Sequence, residues 1–172
     1  MPPMDDEQEE GEALWEEDFE EDEGDEDEEE EEGDEELALL VEQADELIET
    51  GEARKAVALW RRSIDRYSDE PSAYFHYARA CFRLIEEELG DIEELADDSE
   101  LLPIYSRGLS AVEEATAAEE ENADWWTLLG QFYALRGKWK PAAESFNQSI
   151  ELKPRQPAVK ELLAKARERM DG

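Results

Sequence analysis

The one histidine and the one cysteine of the chain are the residues best suited to chemistry, and they lie close together in sequence. His76 and Cys81 are five positions apart, which places them about 140° apart around a helix. A histidine activates a thiol only when its ring nitrogen contacts the sulfur, so this pair does not form a catalytic dyad. We expect His76 to be an ordinary surface or packing residue and Cys81 to be a buried structural thiol.

Other catalytic and metal-binding motifs are absent from the sequence. It contains no glycine-rich phosphate loop, no CxxC pair and no nucleophile elbow. The acidic clusters Asp25–Asp27 and Asp91–Asp98 lack the ligand order, central glycine and terminal glutamate of an EF-hand. We therefore expect no enzymatic activity, no cofactor and no metal site.

Charge is distributed unevenly along the 172 residues, whose formal net charge is −35. Residues 1–36 hold 24 acidic and no basic side chains, residues 37–122 hold 22 and 8, and residues 123–172 hold 6 and 9. Such a charge repels nucleic-acid phosphates and anionic membrane surfaces, whereas it attracts basic proteins. We expect a protein or peptide partner, including a basic protein, and neither nucleic acid nor membrane.

The single cysteine also indicates the compartment. It permits no internal disulfide, which favours a reducing environment. The N-terminus has no basic region followed by an apolar one, as a signal peptide would, and no apolar run approaches the roughly 18 residues that span a bilayer. We expect a cytoplasmic protein, or a nuclear one if the organism is a eukaryote.

Residues 1–36 are predicted to be a disordered acidic tail, because like charges repel and little apolar surface offsets the entropy of ordering. Trp15 and Phe19 interrupt this tail four residues apart, so a transient helix would place both on one face. Two interpretations remain open. The aromatic residues either anchor a basic client or are incidental to a solubilising segment.

From Leu37 onward the apolar residues follow a helical period. The first stripe is Leu40, Ala44, Leu47 and Ile48, and the second is Ala56, Leu59, Trp60 and Ile64. Gly51 between them is suited to a left-handed helix cap, and Pro71 follows the second stripe as a helix breaker. These features predict a pair of antiparallel helices in residues 37–70.

The segment Asp124–Pro154 repeats this pattern with a more specific set of residues. They are Trp126, Leu129, Gly130, Tyr133, Ala142, Phe146 and Pro154. At this spacing the segment closely resembles a tetratricopeptide repeat. The small Gly130 and Ala142 would let two helices approach, while Tyr133 and Phe146 would fill the layer between them. The resemblance implies an all-α fold, a right-handed solenoid of three helix pairs with a C-terminal capping helix.

The period of about 34 residues divides the helical domain, residues 37–172, into repeats. They are 37–70, 71–122 and 123–156, followed by a capping helix at 157–170. The middle repeat is too long: Ala78 and Gly108 are thirty residues apart where other repeats have twelve. We place an insertion within residues 85–103. The first helix should run to about Leu89, the second should begin near Ser99–Pro103, and the insertion should bulge from the loop edge of the solenoid.

The first helix of each pair lines a concave groove in tetratricopeptide arrays, where peptides bind. Some members grip a chaperone C-terminus with a clamp of Lys and Asn, but the matching positions here are Val41, Asp45, Phe75, Arg79, Thr127 and Gln131. A chaperone tail of that type is therefore not expected. The resemblance implies a partner-binding groove formed by Phe75, Arg79, Phe82, Arg83, Thr127, Gln131 and Leu135.

Arg79 and Arg83, flanked by aromatic residues, suit an acidic–aromatic peptide, and the chain has one itself at Trp15–Phe19. Either this tail covers its own groove or the basic C-terminal helix, or the arginines pair with neighbouring glutamates and the tail stays free. We expect a monomeric, non-catalytic adaptor or assembly chaperone. The alternative is a structural subunit or spacer of a larger complex.

Overall fold

A computed structural model of the chain describes residues 24–90 and 92–172. This part of the chain is all-helical, as predicted, and contains no strand. The helices are α1 (Gly24–Glu49), α2 (Ala53–Ser63), α3 (Pro71–Leu89), α4 (Leu102–Ala118), α5 (Ala123–Leu135), α6 (Trp139–Leu152) and α7 (Pro157–Asp171), with a short 3-10 helix at Ile64–Tyr67. The chain divides into two units, Met1–Glu36 and Leu37–Gly172.

Helix α1 begins at Gly24, well before the predicted start at Leu37. Glutamate is a good helix former, and residues 24–36 are rich in it. The prediction of disorder weighed charge repulsion and the small apolar surface but not this helix propensity, so it did not anticipate the helix in residues 24–36. The remainder of the predicted tail, with Trp15 and Phe19, lies outside the described residues.

Local signals set the ends of several helices. Gly51 follows α1 with φ of 77°, and its N–H donates to the carbonyl of Ile48 at 3.2 Å. The predicted left-handed cap is therefore confirmed. Pro71 and Pro157 open α3 and α7, where the missing N–H costs no helical hydrogen bond.

Buried apolar side chains from successive helices form two clusters. The larger one extends from α1 to α5 and includes the fully buried Trp60, Ile85 and Phe132. The smaller one joins α6 to α7 through Phe146 and Val159. Each helix packs on the next along the chain from α2 to α7, so Leu37–Gly172 is a stack of helices, as in a solenoid.

Close helix packing depends on two glycines. A Cβ atom added at Gly130 would lie 2.5 Å from Cε1 of Phe146, and one added at Gly108 would lie 2.6 Å from Cζ of Phe132. Both distances are too short for carbon atoms, so each phenylalanine ring occupies space that only a glycine leaves free. The predicted close approach at Gly130 is therefore confirmed.

The insertion in the middle repeat has the expected bounds. Helix α3 ends at Leu89 and α4 begins at Leu102. The described residues between them form turns and irregular backbone, with no helix. We call residues 92–101 the strap.

Substitution at the packing glycine should be costly. Gly130→Ala is expected to lower the free energy of unfolding by about 1–3 kcal/mol, because the methyl group and the ring of Phe146 compete for one space. Urea unfolding followed by circular dichroism measures this change. Gly33→Ala is the control, since a Cβ there meets nothing within 4 Å and helix propensity favours alanine. A Gly130→Ala variant as stable as the wild type would contradict the packing argument.

Candidate functional site

The predicted groove residues lie on α3 and α5, but the structure does not leave all of them open. Arg83 is exposed, and four others are half-buried: Phe75, Arg79, Thr127 and Gln131. Phe82 and Leu135 are only 8% exposed and belong to the larger cluster. These two are core residues, so their assignment to a free groove was wrong.

Contacts around Phe82 and Leu135 explain their burial. The rings of Phe82 and Phe132 meet edge to face with their centroids 5.6 Å apart. The carbonyl of Leu135 accepts a hydrogen bond of 2.7 Å from the backbone N–H of Leu95, a strap residue that is 3% exposed. Repeat spacing places Phe82 and Leu135 on first helices, but it does not show that the insertion packs against this end of α5.

The strap packs against the turn between α5 and α6. Arg136 on this turn donates to the carbonyl of Leu95 at 2.5 Å and to the carboxylate of Asp97 at 2.6 Å. Gly137 follows with φ of 68°, and a Cβ added there would lie 3.1 Å from Oε2 of Glu94. The expected bulge is therefore a segment fastened to the next repeat rather than one that projects freely.

The strap also reaches the last helix. Glu93 pairs with Lys165, at 3.1 Å, and with Arg169. The hydrogen bond and charge of Lys165, and then the charge of Arg169, lower the pKa of Glu93. Exposed pairs of this kind add little stability, but they fix where the strap lies. The middle repeat is thereby connected to α7 past the third repeat.

The first helices are linked to one another outside the strap. Arg79 on α3 forms an ion pair with Asp45 on α1. Phe75 on α3 stacks on Trp125 of α5, with ring centroids 5.6 Å apart and planes 21° apart. These two contacts make α1, α3 and α5 contribute to one surface. Sequence reasoning missed Trp125 because it precedes the repeat's characteristic Trp126.

Both groove arginines have acidic neighbours. Arg79 pairs with Asp45, and Arg83 donates to Glu86 at 3.2 Å. The expected pairing of the arginines with neighbouring acidic side chains is therefore observed, with an aspartate in one case, whereas Trp15–Phe19 of the tail lie outside the described residues. Partial burial and, secondly, the charge of Arg83 lower the pKa of Arg79. The two guanidinium groups thus repel each other, and Asp45 and Glu86 each neutralise one of them.

Thr127 has a structural role. Its hydroxyl lies 2.7 Å from that of Ser149 and also donates to the carbonyl of Ala123. Gln156 donates to the same Ser149 hydroxyl at 3.0 Å. Gln131 differs, since within the described residues its side chain makes no hydrogen bond to the protein. Of the polar residues predicted on α5, Gln131 is therefore the one available to a ligand.

His76 and Cys81 occupy packing positions, as expected. The His76 ring stacks on Trp60 with centroids 6.2 Å apart, and burial lowers its pKa. Cys81 is fully buried, and burial raises its pKa to about 12. A thiol with this pKa is not ionised at neutral pH, so it is a poor nucleophile.

Within residues 24–90 and 92–172, no group of three or more His, Cys, Asp or Glu side chains is placed to hold a metal ion. None of the helices described is long and apolar enough to cross a membrane.

The tetratricopeptide repeat family model matches residues 41–94 and 105–157, which is more than half of the chain. The chain belongs to the tetratricopeptide repeat family. The matched segments include the end of α1, all of α3 and α5, and all seven residues of the predicted groove. No curated protein matches the chain.

Solved structures with the same fold are tetratricopeptide domains. The first such domain of Spaghetti (RPAP3), bound to an HSP90 peptide, has a TM-score of 0.62 at 16% identity, covering 78% of this chain and 95% of that one. The Sgt2 domain from Aspergillus fumigatus has 0.62 at 17%, covering 79% and 80%. The second domain of human RPAP3, with an HSP70 peptide, has 0.57 at 13%, covering 73% and 90%. At these identities the likeness shows the fold.

The strap provides a matched pair of substitutions. Leu95 is 3% exposed and Ile92 is 63% exposed. Leu95→Ala is expected to lower the free energy of unfolding by about 2–4 kcal/mol because it leaves a cavity under the strap. Ile92→Ala should change it by less than about 0.5 kcal/mol. Chemical denaturation measures both.

Amide hydrogen exchange tests the contact between the strap and α5 at a single residue. The Leu95 amide should exchange slowly in the wild type and faster in Leu95→Ala, because its bond to the Leu135 carbonyl depends on the buried side chain. If Leu95→Ala and Ile92→Ala are equally stable and the Leu95 amide exchanges fast in the wild type, the strap is not held against the end of α5.

Proposed function

We propose that the chain is a non-catalytic protein-interaction module, an adaptor or assembly chaperone, that holds a partner polypeptide on its concave side. The binding surface is the open face, formed by Asp45, Phe75, Arg79, Arg83 and Gln131. The observation that carries the proposal is the pair of contacts, Asp45–Arg79 and Phe75–Trp125, that links three successive first helices. A rigid surface of this kind binds a peptide without ordering cost of its own.

The chemistry of the open face favours an extended peptide with an acidic and an aromatic side chain. Arg79 and Arg83 are one helical turn apart on α3, so a peptide carboxylate that displaces Asp45 or Glu86 can pair with both arginines. The half-buried ring of Phe75 offers a stacking partner. The strap packs against Leu135 at the end of α5 and so limits how far along α5 the peptide extends.

We further propose that the acidic tail, residues 1–36, attracts a basic client at long range. Its 24 carboxylates in residues 1–36 would raise the encounter rate with a basic client, or would shield the open face when no client is present. Trp15 and Phe19 supply apolar anchors in either role. The support for this part is the sequence alone.

Charge reversal on the open face tests the binding surface. Arg83→Glu should reduce the recovery of specific partners from native lysate by about tenfold, because it opposes the carboxylate that the two arginines attract. Lys140→Glu is the matched control, since it reverses one exposed charge on α6. Quantitative affinity capture with the full-length chain measures both. Equal recovery of the same proteins by the two variants would contradict the assignment.

A salt titration tests whether the acidic tail, residues 1–36, attracts basic partners. Binding of a basic probe such as polylysine should weaken steadily as salt rises, because the attraction is screened. Trp15→Ala should weaken binding of a folded basic protein by about fivefold, the loss of one apolar anchor. Gln8→Ala is the control that leaves charge and aromatic content unchanged. If Trp15→Ala binds like Gln8→Ala, charge alone acts and the anchor is excluded.

The rival proposal is a spacer subunit within a larger assembly. Leu39 on α1 and Met170 on α7 are exposed apolar side chains, 57% and 47% accessible, and each could contact a neighbouring subunit. Sedimentation of the purified chain separates the two proposals. A monodisperse monomer supports the module, whereas self-association supports the spacer.

A further inference from the structure

A small cavity lies between α2, α3 and α4, apart from the open face. Its volume is about 120 Å³, roughly the size of one aliphatic side chain. Its apolar lining comes from Val57, Tyr77, Cys81, Leu84 and Ile104. Three arginines complete the lining: Arg54, Arg61 and Arg107. We call this site the arginine cleft.

The arginines are unusual because the chain is so acidic. Helix α2 carries Arg54, Lys55, Arg61 and Arg62 and no acidic residue, although the chain has 52 acidic and 17 basic residues. Arg54 pairs with Glu88 on α3. Arg61 and Arg107 are exposed, and neither forms an ion pair with any residue in the described ranges.

The charges of Arg61 and Arg107 reach the apolar floor of the cleft. Burial raises the pKa of Tyr77 and of Cys81, and the charges of Arg107 and Arg61 oppose that rise at both groups. Two guanidinium groups therefore lie on opposite helices, α2 and α4, close to one apolar cavity. This arrangement places a positive potential around a space that only an apolar group can fill.

We propose that the arginine cleft binds an acidic segment of a partner polypeptide that carries one aliphatic side chain between its carboxylates. The aliphatic side chain fills the cavity above Tyr77 and Cys81. Carboxylates on its two sides accept hydrogen bonds from Arg61 and Arg107, whose planar guanidinium groups match carboxylate geometry.

Charge and size favour this occupant. The four basic side chains of α2 attract an acidic segment locally, although the chain as a whole is negative. The cavity volume matches one aliphatic side chain, and the chain's own tail also carries such a residue between carboxylates, Leu14 between Glu12 and Glu16, so the tail is the competing occupant. The cleft shares no residue with the open face, so the two proposals fail independently.

Fluorescence anisotropy with the full-length chain tests the cleft. The probe is a labelled peptide with one leucine between two pairs of glutamates. Arg61→Gln and Arg107→Gln should each weaken binding about tenfold, the loss of a charged hydrogen bond. Arg62→Gln is the matched control because this neighbour lines a different surface depression. It should change affinity by less than about twofold.

Two altered probes distinguish the contribution of the cavity to binding affinity from that of the charges. Replacing the leucine by alanine should weaken binding about tenfold because the cavity stays empty, and replacing the glutamates by glutamines should abolish it. Equal effects of Arg61→Gln and Arg62→Gln, or equal affinity of the leucine and alanine probes, would overturn the proposal as unspecific charge attraction.

The chain's own tail is the competing occupant. A full-length variant with Leu14→Ala, Trp15→Ala and Phe19→Ala should bind the probe as the wild type does. Tighter binding by this variant would show that the tail fills the cleft, and would overturn the assignment to a partner. Arg83→Glu should leave probe binding unchanged, because that residue belongs to the open face.

Discussion

The contact between a glycine on one helix and a phenylalanine ring on another is the constraint on which the rest of the structure depends. Gly130 receives the ring of Phe146, and Gly108 receives that of Phe132. These contacts set the separation of the helix pairs and, through it, the positions of the first helices. Because cores are close-packed, a shift at either glycine would move α3 and α5 and with them the surface that they share.

The strap shows how an insertion can alter a repeat protein without disturbing its repeats. Leu95 enters the core, Arg136 holds the backbone around it, and Glu93 reaches the basic side chains of α7. Nearest-neighbour contacts normally dominate a repeat array, whereas here the middle repeat also contacts α7, the capping helix. Under the proposed function, the strap limits how far along α5 a bound peptide extends.

Charge in this protein has two different consequences. We propose that the acidic residues of 1–36 attract a basic partner at long range. Two basic residues act locally, since Arg61 on α2 and Arg107 on α4 lie beside an apolar cavity and form no ion pair in the described part of the chain. Under the two proposals, the protein would contact a basic region of a client through residues 1–36 and an acidic region through the arginine cleft. Net charge alone would have hidden the second feature.

The sequence by itself determined the helix pairs, the last residue of α3, the approximate start of α4, the left-handed helix cap at Gly51 and the need for a small residue at Gly130. Each follows from a local pattern, such as apolar spacing, turn residues or a helix breaker. It did not determine which first-helix residues stay open. Only the tertiary structure decided that Phe82 and Leu135 are buried and that Arg61 and Arg107 meet at one cavity, because these outcomes depend on contacts between segments far apart in the chain.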